Sequence, residues 1–281
     1  MGLRTTLSLD FFVNLPPNMS ITLVAILILS GILVGFINTL SAGGTIISIA
    51  LYIALGIPVQ TTNAINRVGV LIQNGFASLI FYRKHIINYR ILLLNSLPII
   101  MGTFIGSTVA VKLDQRVFNI CFAIVLLIII VFLFIDNKIN NRKERKFNLK
   151  NYLITFPLFL IIGFYGGFVQ VGTGFLLIAI LGSLLGHDLI KTTAIKNTLM
   201  FIYTIVAMIV FVSRGDIETK YWFYGLTHSV GNVIGSYFAV RYALKKGNKF
   251  IRLIIISIII FTALNLLGII DIKIIFKNIV N

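Results

Sequence analysis

The chain has 281 residues, of which 58% are hydrophobic and only 11% carry a charge. A soluble domain carries about 25% charged residues, so this composition excludes an ordinary soluble protein and indicates an all-α polytopic integral membrane protein. The net charge of +16 does not indicate nucleic-acid binding, because the Lys and Arg residues lie mostly in short loops between apolar runs, as the positive-inside rule describes.

The chain begins with a predicted N-terminal segment, 1–19. It contains Asp10 and two prolines and lacks the basic-then-apolar pattern of a cleaved signal peptide, so the first span itself is expected to direct membrane insertion. The single cysteine, Cys121, excludes an intrachain disulfide.

Residues 20–135 are predicted to form a first membrane repeat. About 20 apolar residues suffice to span a bilayer as a helix, and the repeat contains five apolar segments, A (20–37), B (46–57), C (64–82), D (91–111) and E (117–135). A glycine-rich, uncharged break, the stretch 35–45, separates A from the short segment B. Lipid cannot satisfy the backbone groups that such a break frees, so the break is expected to be buried in protein or to line a wet cavity.

A basic loop, 136–152, is predicted to join this repeat to a second membrane repeat, 153–270. The second repeat contains the segments F (153–169), G (175–186), H (193–212), I (221–243) and J (250–270). A second break, the stretch 163–174, separates F from the short segment G. The C-terminal tail, 271–281, has the pattern of a short interfacial helix.

The two repeats are predicted to be duplicates. Gly35-Phe36 and Gly44-Thr45 match Gly163-Phe164 and Gly172-Thr173 at a shift of 128 positions, and residues 102–112 match 231–241 at a shift of 129. Shared membrane composition alone would not give collinear matches at one shift.

Two orientations of the repeats are open. If A, the break and B form one span, each half has four spans and the halves run parallel. If A and B each cross, each half has five spans and the halves are inverted. The Lys and Arg residues segregate more cleanly in the second case, which also predicts both termini outside. We therefore predict inverted repeats with 8–10 transmembrane segments, a recurrent design of transporters with a midplane site.

Two cations lie close to the breaks. Asn63, Asn66 and Arg67 are expected in the first turn of C, and Lys196 and Asn197 in the first turn of H. A cation is unfavourable at a helix N-terminus, and an anion bound to the free N–H groups would relieve the repulsion. The alternative is that both side chains reach out to the lipid headgroups.

Further polar residues extend this candidate site. The glycines of the breaks precede half-length helices, and nearby hydroxyl and amide groups are suited to the oxygens of a small anion. His228 could carry a proton or be a hydrogen-bonded structural histidine. The Gly-x-x-x-Gly pairs Gly102/Gly106 and Gly231/Gly235 are instead expected to pack helices. The candidate substrate-binding residues are Ser41, Gly43, Gly44, Thr45, Asn63, Asn66, Arg67, Gln73, Asn74, Gln170, Gly172, Thr173, Lys196, Asn197, His228 and Asn232.

The acidic residues argue against ion coupling. All eight lie in loops or at segment ends, so a carboxylate proton relay or an acidic sodium site is not evident. An anion exporter needs neither, because an inside-negative potential drives anions outward by about 2.3 kcal/mol per 100 mV. Three scattered histidines and one cysteine predict no metal centre, and we expect no cofactor and no catalytic residues.

The ordered motifs resemble those of the TauE/SafE sulfite and organosulfonate exporter family. They are the glycine-rich break and short helix, Thr-Asn-Ala-Ile-Asn-Arg-Val at 62–68, Phe-Tyr-Arg-Lys at 81–84 and Gly-x-x-x-Gly at 102–106, all repeated over roughly 25–268. The family usually has a fuller glycine cluster at the first break than Ala42-Gly43-Gly44-Thr45.

The resemblance implies secondary transport of sulfite, organosulfonates or related small anions across the plasma (inner) membrane, often outward. The expected partners are such an inorganic or organic anion and the lipid bilayer, with no nucleic acid, and a homo-oligomer is left open. An anion channel or a permease for another organic anion is the alternative. An intramembrane enzyme would need a third group to orient His228 beside Ser107 or Ser236, and a membrane scaffold subunit would not need the buried cations.

Overall fold

A computed structural model describes residues 20–41, 43–87, 89–114, 116–118, 120–121, 149–183, 188–213 and 217–266 of the chain. The main helices of this part are α1 (Ile21–Leu40), α2 (Gly44–Ala54), α3 (Val59–Arg83), α4 (Tyr89–Lys112), α5 (Leu149–Phe168), α6 (Thr173–Ser183), α7 (Leu189–Ser213) and α8 (Thr219–Leu266). The N-terminal segment and the tail lie outside the described residues, as do most of segment E and of the basic loop.

The helices confirm an all-α polytopic membrane protein. Four of them, α1, α3, α4 and α7, are long and apolar enough to cross a membrane. The two helices that follow the breaks, α2 and α6, have 11 residues each and rise only about 16 Å. They are therefore half-length helices, as the sequence predicts.

The predicted starts of segments C and H are wrong. Helix α3 begins at Val59, directly after Pro58, and α7 begins at Leu189, where the Asp188 carboxylate accepts hydrogen bonds from the N–H groups of Ile190 and Lys191. Proline and aspartate are both favoured at helix starts, so the polar residues that follow them are helical. Asn63, Arg67 and their counterparts consequently lie beyond the first turn.

The predicted boundary between segments I and J also differs. The structure continues as one helix, α8, through 48 residues, and the lysine-rich stretch between the two segments lies within it. Lysine favours helix, and a single Gly247 costs only about 1 kcal/mol, which is too little to break the helix. At 1.5 Å per residue α8 extends about 72 Å, which is longer than one crossing requires.

Helices α1 and α8 run parallel and in close contact. A Cβ atom on Gly231 would overlap the backbone of Ile28, and one on Gly235, a turn later, would overlap the backbone of Ile32. The glycines thus permit the close approach that small residues give in membranes. Helices α4 and α5 show the same arrangement, with Gly102 against Leu160 and Gly106 against Phe164. The predicted packing role of all four glycines is confirmed.

Helix α3 also runs parallel to α8. Gly225 near the start of α8 contacts Ile65, and the Ser236 hydroxyl further along donates to the carbonyl oxygen of Gln73 at 3.2 Å. Since α1 and α3 both run parallel to α8, they run parallel to each other. The chain must therefore reverse between them, and α2 is the returning segment.

The central pair, α3 and α7, runs antiparallel. Gly75 contacts the ring of Phe201, whereas Arg67, earlier on α3, has its Cζ 4.7 Å from the ring centroid of Phe211, later on α7. Because α3 and α7 are equivalent helices of the two repeats, the repeats are inverted. The arrangement of four parallel spans in each half is excluded, since it requires α1 and α3 to run in opposite directions.

Candidate functional site at the two helix breaks

Both breaks lie near the middle of the central helices. Gln73 of α3, which accepts from Ser236, and Thr204 of α7, which contacts Gln170 of the second break, are both close to the midpoint of a 25-residue helix. The first break follows α1, whose Gly35 packs on Asn232 one turn before Ser236. The two breaks are thus at similar depth, which is the arrangement of a midplane transporter site.

Lys196 binds the end of α1 in the opposite repeat. Its Nζ donates to the carbonyl oxygens of Asn38 at 2.7 Å and Thr39 at 2.9 Å, and the Asn197 amide donates to the same Thr39 oxygen at 3.1 Å. The last carbonyls of a helix have no partner within the helix and carry its negative dipole end. The Lys196 ammonium and the Asn197 amide supply hydrogen bonds to these carbonyls, and the ammonium charge compensates the negative dipole end.

Arg67 binds the end of α5 in the same way. Its Nη1 and Nη2 donate to the carbonyl oxygens of Gly166 at 3.0 Å and Gly167 at 2.7 Å, and the Asn63 amide donates to Phe168 at 2.9 Å. Arg67 and Lys196 are both fully buried, so the alternative that they extend to the headgroups is wrong. Each cation joins one repeat to the other.

The first break is connected to α2 through side chains. The Asn38 Oδ1 accepts from the backbone N–H of Thr45 at 3.0 Å and lies 3.3 Å from its hydroxyl. One turn into α2, the Ser48 hydroxyl lies 2.6 Å from Asn66 Oδ1. Ser41 instead donates to Ile37 within its own helix. Asn38 therefore caps the short helix from the preceding one.

The second break is largely hydrogen-bonded to itself. The Thr173 hydroxyl donates to the carbonyl of Gln170 at 2.7 Å, and the Tyr165 hydroxyl donates to the carbonyl of Val171. The Gln170 amide lies 3.3 Å from the Thr204 hydroxyl. Gln170 has φ 69° and Gly172 φ 72°, and only the glycine adopts this left-handed backbone without strain.

A polar group on α8 lies beside the first break. A Cβ on Gly69 would overlap the Asn232 amide and contact the His228 Nδ1, so the absence of a side chain there gives these groups room. The Tyr52 ring of α2 lies 5.6 Å from the His228 ring. Asn74 differs from these residues, because its amide donates to the Val70 carbonyl of its own helix.

The structure separates the predicted residues into two groups. The group near the first break consists of Gly43, Gly44, Thr45, Asn66, Lys196, Asn197, His228 and Asn232. The group near the second break consists of Asn63, Arg67, Gln170, Gly172 and Thr173. Arg67 and Lys196 lie towards opposite ends of α7. Phe211, which contacts Arg67, is fifteen residues beyond Lys196, a distance of about 22 Å along the helix.

Three residues near the first break were not predicted: Asn38, Ser48 and Tyr52. All three are fully buried. Ser48 and Tyr52 are four residues apart and therefore on one face of α2. Together with Thr45 at the start of the helix, these two polar side chains in an 11-residue helix of otherwise apolar residues were the signal that sequence reasoning could have used.

The interior of the described part carries positive charge. Arg67 and Lys196 are buried, whereas the three acidic residues that the structure describes, Asp114, Asp188 and Glu218, are exposed. Burying a charge without a counter-charge is costly, and carbonyl dipoles compensate it only in part. An anion that enters this interior is therefore favoured.

A cavity of about 270 Å³ lies at the end of the bundle where α3 begins and α4 and α7 end. Its lining is formed by Gln60, Thr61, Ala64, Val111, Leu113, Phe211 and Ile217. Phe211 connects it to Arg67. The cavity therefore adjoins Arg67, which binds the end of α5 at the second break.

Comparison with known proteins gives one family. The family model described as sulfite exporter TauE/SafE matches residues 27–266. The chain is similar to the probable membrane transporter protein of Haemophilus influenzae, at 26% identity over 88% of this chain and 95% of that protein, and to the probable membrane transporter protein ORF9 of a Sinorhizobium species, at 27% over 88% and 93%. The probable membrane transporter protein YfcA of Escherichia coli K12 is 24% identical over 84% and 86%. No solved structure shows a significant match.

Proposed function

The chain belongs to the sulfite exporter TauE/SafE family, and on that premise we propose that it carries small sulfur-containing anions, such as sulfite or organosulfonates, outward across the plasma membrane. It is a multi-pass membrane protein and a membrane transporter, as its family and its relatives indicate.

The observation that carries the proposal is the unbalanced positive charge at the two breaks. Arg67 and Lys196 are buried at helix ends, and the described acidic residues are exposed. In a medium of low dielectric constant such charges attract anions more strongly than they do in water. The substrate-binding residues proposed from the sequence lie around these two cations.

The membrane potential supports the outward direction of transport. A monovalent anion leaving a cell gains about 2.3 kcal/mol per 100 mV of inside-negative potential, which corresponds to a gradient of about 50-fold. An exporter of such anions therefore needs no coupled ion. This supports export rather than uptake.

The test is a flux measurement with purified protein in proteoliposomes. Sulfite, sulfoacetate and acetate are loaded inside, and efflux is followed while a potassium gradient with valinomycin sets an inside-negative potential. We expect sulfite or a sulfonate to leave faster than acetate, and faster at higher potential, with protein-free liposomes as the control. Equal rates with and without the protein for every sulfur anion would overturn the proposal.

The alternative of an anion channel is less well supported. The cavity lies at one end of the central helices, whereas the opposite end is packed with the buried side chains of Phe81, Ile87 and Val240. A bundle closed at one end suits a carrier that alternates between two states. Sulfite on the far side should therefore accelerate efflux of labelled sulfite, and a channel would show no such exchange.

A further inference from the structure

The two breaks have equivalent positions with different chemistry. At the shifts that relate the repeats, Asn38, Ser48 and Tyr52 of the first half correspond to Gly166, Leu176 and Ile180 of the second. Likewise, His228 and Asn232 correspond to Ile99 and Thr103. The first break is therefore surrounded by amide, hydroxyl and imidazole groups where the second has glycine or apolar residues at most of the same places.

The polar residues of the first break form one continuous group. Asn38 contacts Thr45 at the start of α2, and Ser48 of α2 contacts Asn66 of α3. Tyr52 lies against His228 of α8. We call Asn38, Ser48, Tyr52, Asn66, His228 and Asn232 the first-break cluster; it is contributed by four helices and its members are almost completely buried.

Several polar atoms of this cluster have no hydrogen-bond partner in the described part of the chain. They are Asn38 Nδ2, Tyr52 Oη, Asn66 Nδ2, His228 Nε2 and Asn232 Oδ1. A buried polar group without a partner is strongly unfavourable, and native proteins satisfy nearly all such groups with protein, water or ligand. The second break has four such atoms, which are Asn63 Oδ1, Arg67 Nε, Gln170 Oε1 and Tyr203 Oη. The first break has seven, because Thr39 Oγ1 and Asn197 Oδ1 add to the five of the cluster, and this larger number points to a polar occupant there.

The chemistry of two members is fixed by their surroundings. Asn38 accepts from the Thr45 N–H through Oδ1, so its free Nδ2 must be a donor. The Tyr52 hydroxyl is a donor as well. Lys196 holds the Asn38 carbonyl, and the N-terminus of α2 adds the positive end of its dipole. Donors and positive potential together favour an oxyanion.

The remaining atoms, Asn232 Oδ1 and His228 Nε2, require a ligand that can donate a hydrogen bond. Asn232 Oδ1 can only accept a hydrogen bond, and a neutral His228 can accept through Nε2 if its proton is on Nδ1. A fully deprotonated oxyanion offers no proton to either atom. A hydrogen-oxyanion, with oxygens that accept and one O–H that donates, is complementary to both kinds of group.

We propose that one small hydrogen-oxyanion, of the hydrogensulfite type, binds at the first-break cluster and that the second break is a structural counterpart without a ligand. Asn38 and Tyr52 donate hydrogen bonds to its oxygens, and His228 Nε2 or Asn232 Oδ1 accepts a hydrogen bond from its O–H group. The proposal rests on the anion transport proposed above and assigns the anion-binding site to one of the two breaks.

The chain supplies its own reporter and a matched control. Its single tryptophan, Trp222, packs on the apolar residues around Tyr52, so ligand binding at the cluster should change its fluorescence. Tyr203 is as buried as Tyr52 but lies beside Gly166 and Thr173 of the second break. Phenylalanine at either position removes one hydroxyl and keeps the ring.

The experiment titrates the full-length protein in nanodiscs with sodium sulfite and follows Trp222 fluorescence, with calorimetry as an independent measurement of binding. Tyr52→Phe should raise the Kd about tenfold, as loss of a hydrogen bond to a charged ligand does, whereas Tyr203→Phe should leave it within twofold. Asn38→Asp keeps the acceptor for Thr45 but places a negative charge in the cluster, and should weaken binding at least 100-fold. Thermal melting checks that each variant is folded.

The outcomes separate this proposal from the proposed function. If the unaltered protein binds sulfite and Tyr203→Phe weakens binding as much as Tyr52→Phe, the location is wrong while anion transport stands. Equal affinity of Asn38→Asp and the unaltered protein would also overturn the location. If the unaltered protein neither binds nor transports sulfite or any sulfonate, both proposals fail together.

Discussion

The two helix breaks share a backbone plan and differ in side-chain chemistry. In each, a membrane helix ends at a pair of carbonyls held by a cation and an amide from the opposite repeat, and an 11-residue helix follows. Around the first break the neighbouring side chains are polar. At most equivalent positions of the second they are glycine or apolar.

The shared part shows what the architecture requires. Asn66 and Arg67 of α3 correspond to Lys196 and Asn197 of α7, so the cation has moved by one position between the repeats. The cation nevertheless reaches equivalent carbonyls in both, at Asn38 and at Gly166. The requirement is a positive charge at the helix end rather than a particular residue at a particular position.

The differing part shows where specificity can arise. A duplicated architecture does not need Asn38, Tyr52 or His228, since the second break is built without their equivalents. Polar groups that architecture does not need are costly to bury. Their presence on one side only assigns the two breaks different tasks, and the following variants test that assignment.

The test of the inverted repeats has the largest expected effect, because each introduced cysteine is labelled from one side of the membrane and not from the other. The ends of α3 and α7 point to opposite faces, so a cysteine at Lys84 and one at Glu218 should be labelled by a membrane-impermeant maleimide from opposite sides. Both residues are exposed, and Cys121→Ser removes the native thiol. Labelling from the same side would contradict the antiparallel contacts at Gly75 and Arg67.

Lys196→Gln should be the most damaging substitution at a break. It removes two charge-assisted hydrogen bonds of about 1.5–3 kcal/mol each and the positive charge beside Asn38. We expect sulfite flux to fall at least 100-fold and the anion Kd to rise strongly, measured on protein that remains monodisperse after purification. Lys84→Gln, which removes an exposed lysine, should leave flux unchanged; an equal loss there would point to a general effect of charge.

Much of the fold could be predicted because hydrophobic length and duplication are visible along the chain. The short helices, the packing glycines and the inverted order follow from residues such as Gly102 and Gly231 and from the distribution of charge. The predicted helix starts were wrong because α3 begins directly after Pro58 and α7 directly after Asp188, several residues before the apolar runs begin. Local capping decided the boundary, and a search for apolar runs does not detect it.

The partners of the cations could not be predicted. Lys196 binds backbone carbonyls 158 residues earlier in the chain, and a carbonyl is present at every position, so it leaves no sequence signal. The sequence identified the cation and amide pairs and the breaks as neighbours, and this is correct. It assigned the positive charge to an anion at the helix start, whereas the structure places it at the end of the opposing helix.

Arg67→Gln should damage the second break but disturb the anion less. Loss of two hydrogen bonds at the end of α5 should lower the free energy of unfolding by about 3 kcal/mol, seen as a lower melting temperature, and flux should fall with it. The anion Kd should rise less than it does in Lys196→Gln. Arg67→Lys should recover most of the stability, because Lys196 shows that an ammonium group can bind two successive carbonyls. An anion Kd that rises as much as in Lys196→Gln would mean that both breaks bind the anion.

The smallest effect comes from exchanging side chains between equivalent positions on α8 and α4. Asn232→Thr gives the first break the residue that its counterpart, Thr103, places beside the second break, and should raise the anion Kd about threefold because the acceptor Oδ1 is lost. Thr103→Val removes the hydrogen bond from the Thr103 hydroxyl to the Gly163 carbonyl, 3.1 Å long, and should cost about 1 kcal/mol of stability with no change in Kd. Titration of both variants by Trp222 fluorescence, beside their melting temperatures, distinguishes a binding group from a packing group. If Thr103→Val weakened binding and Asn232→Thr did not, the ligand would belong to the second break.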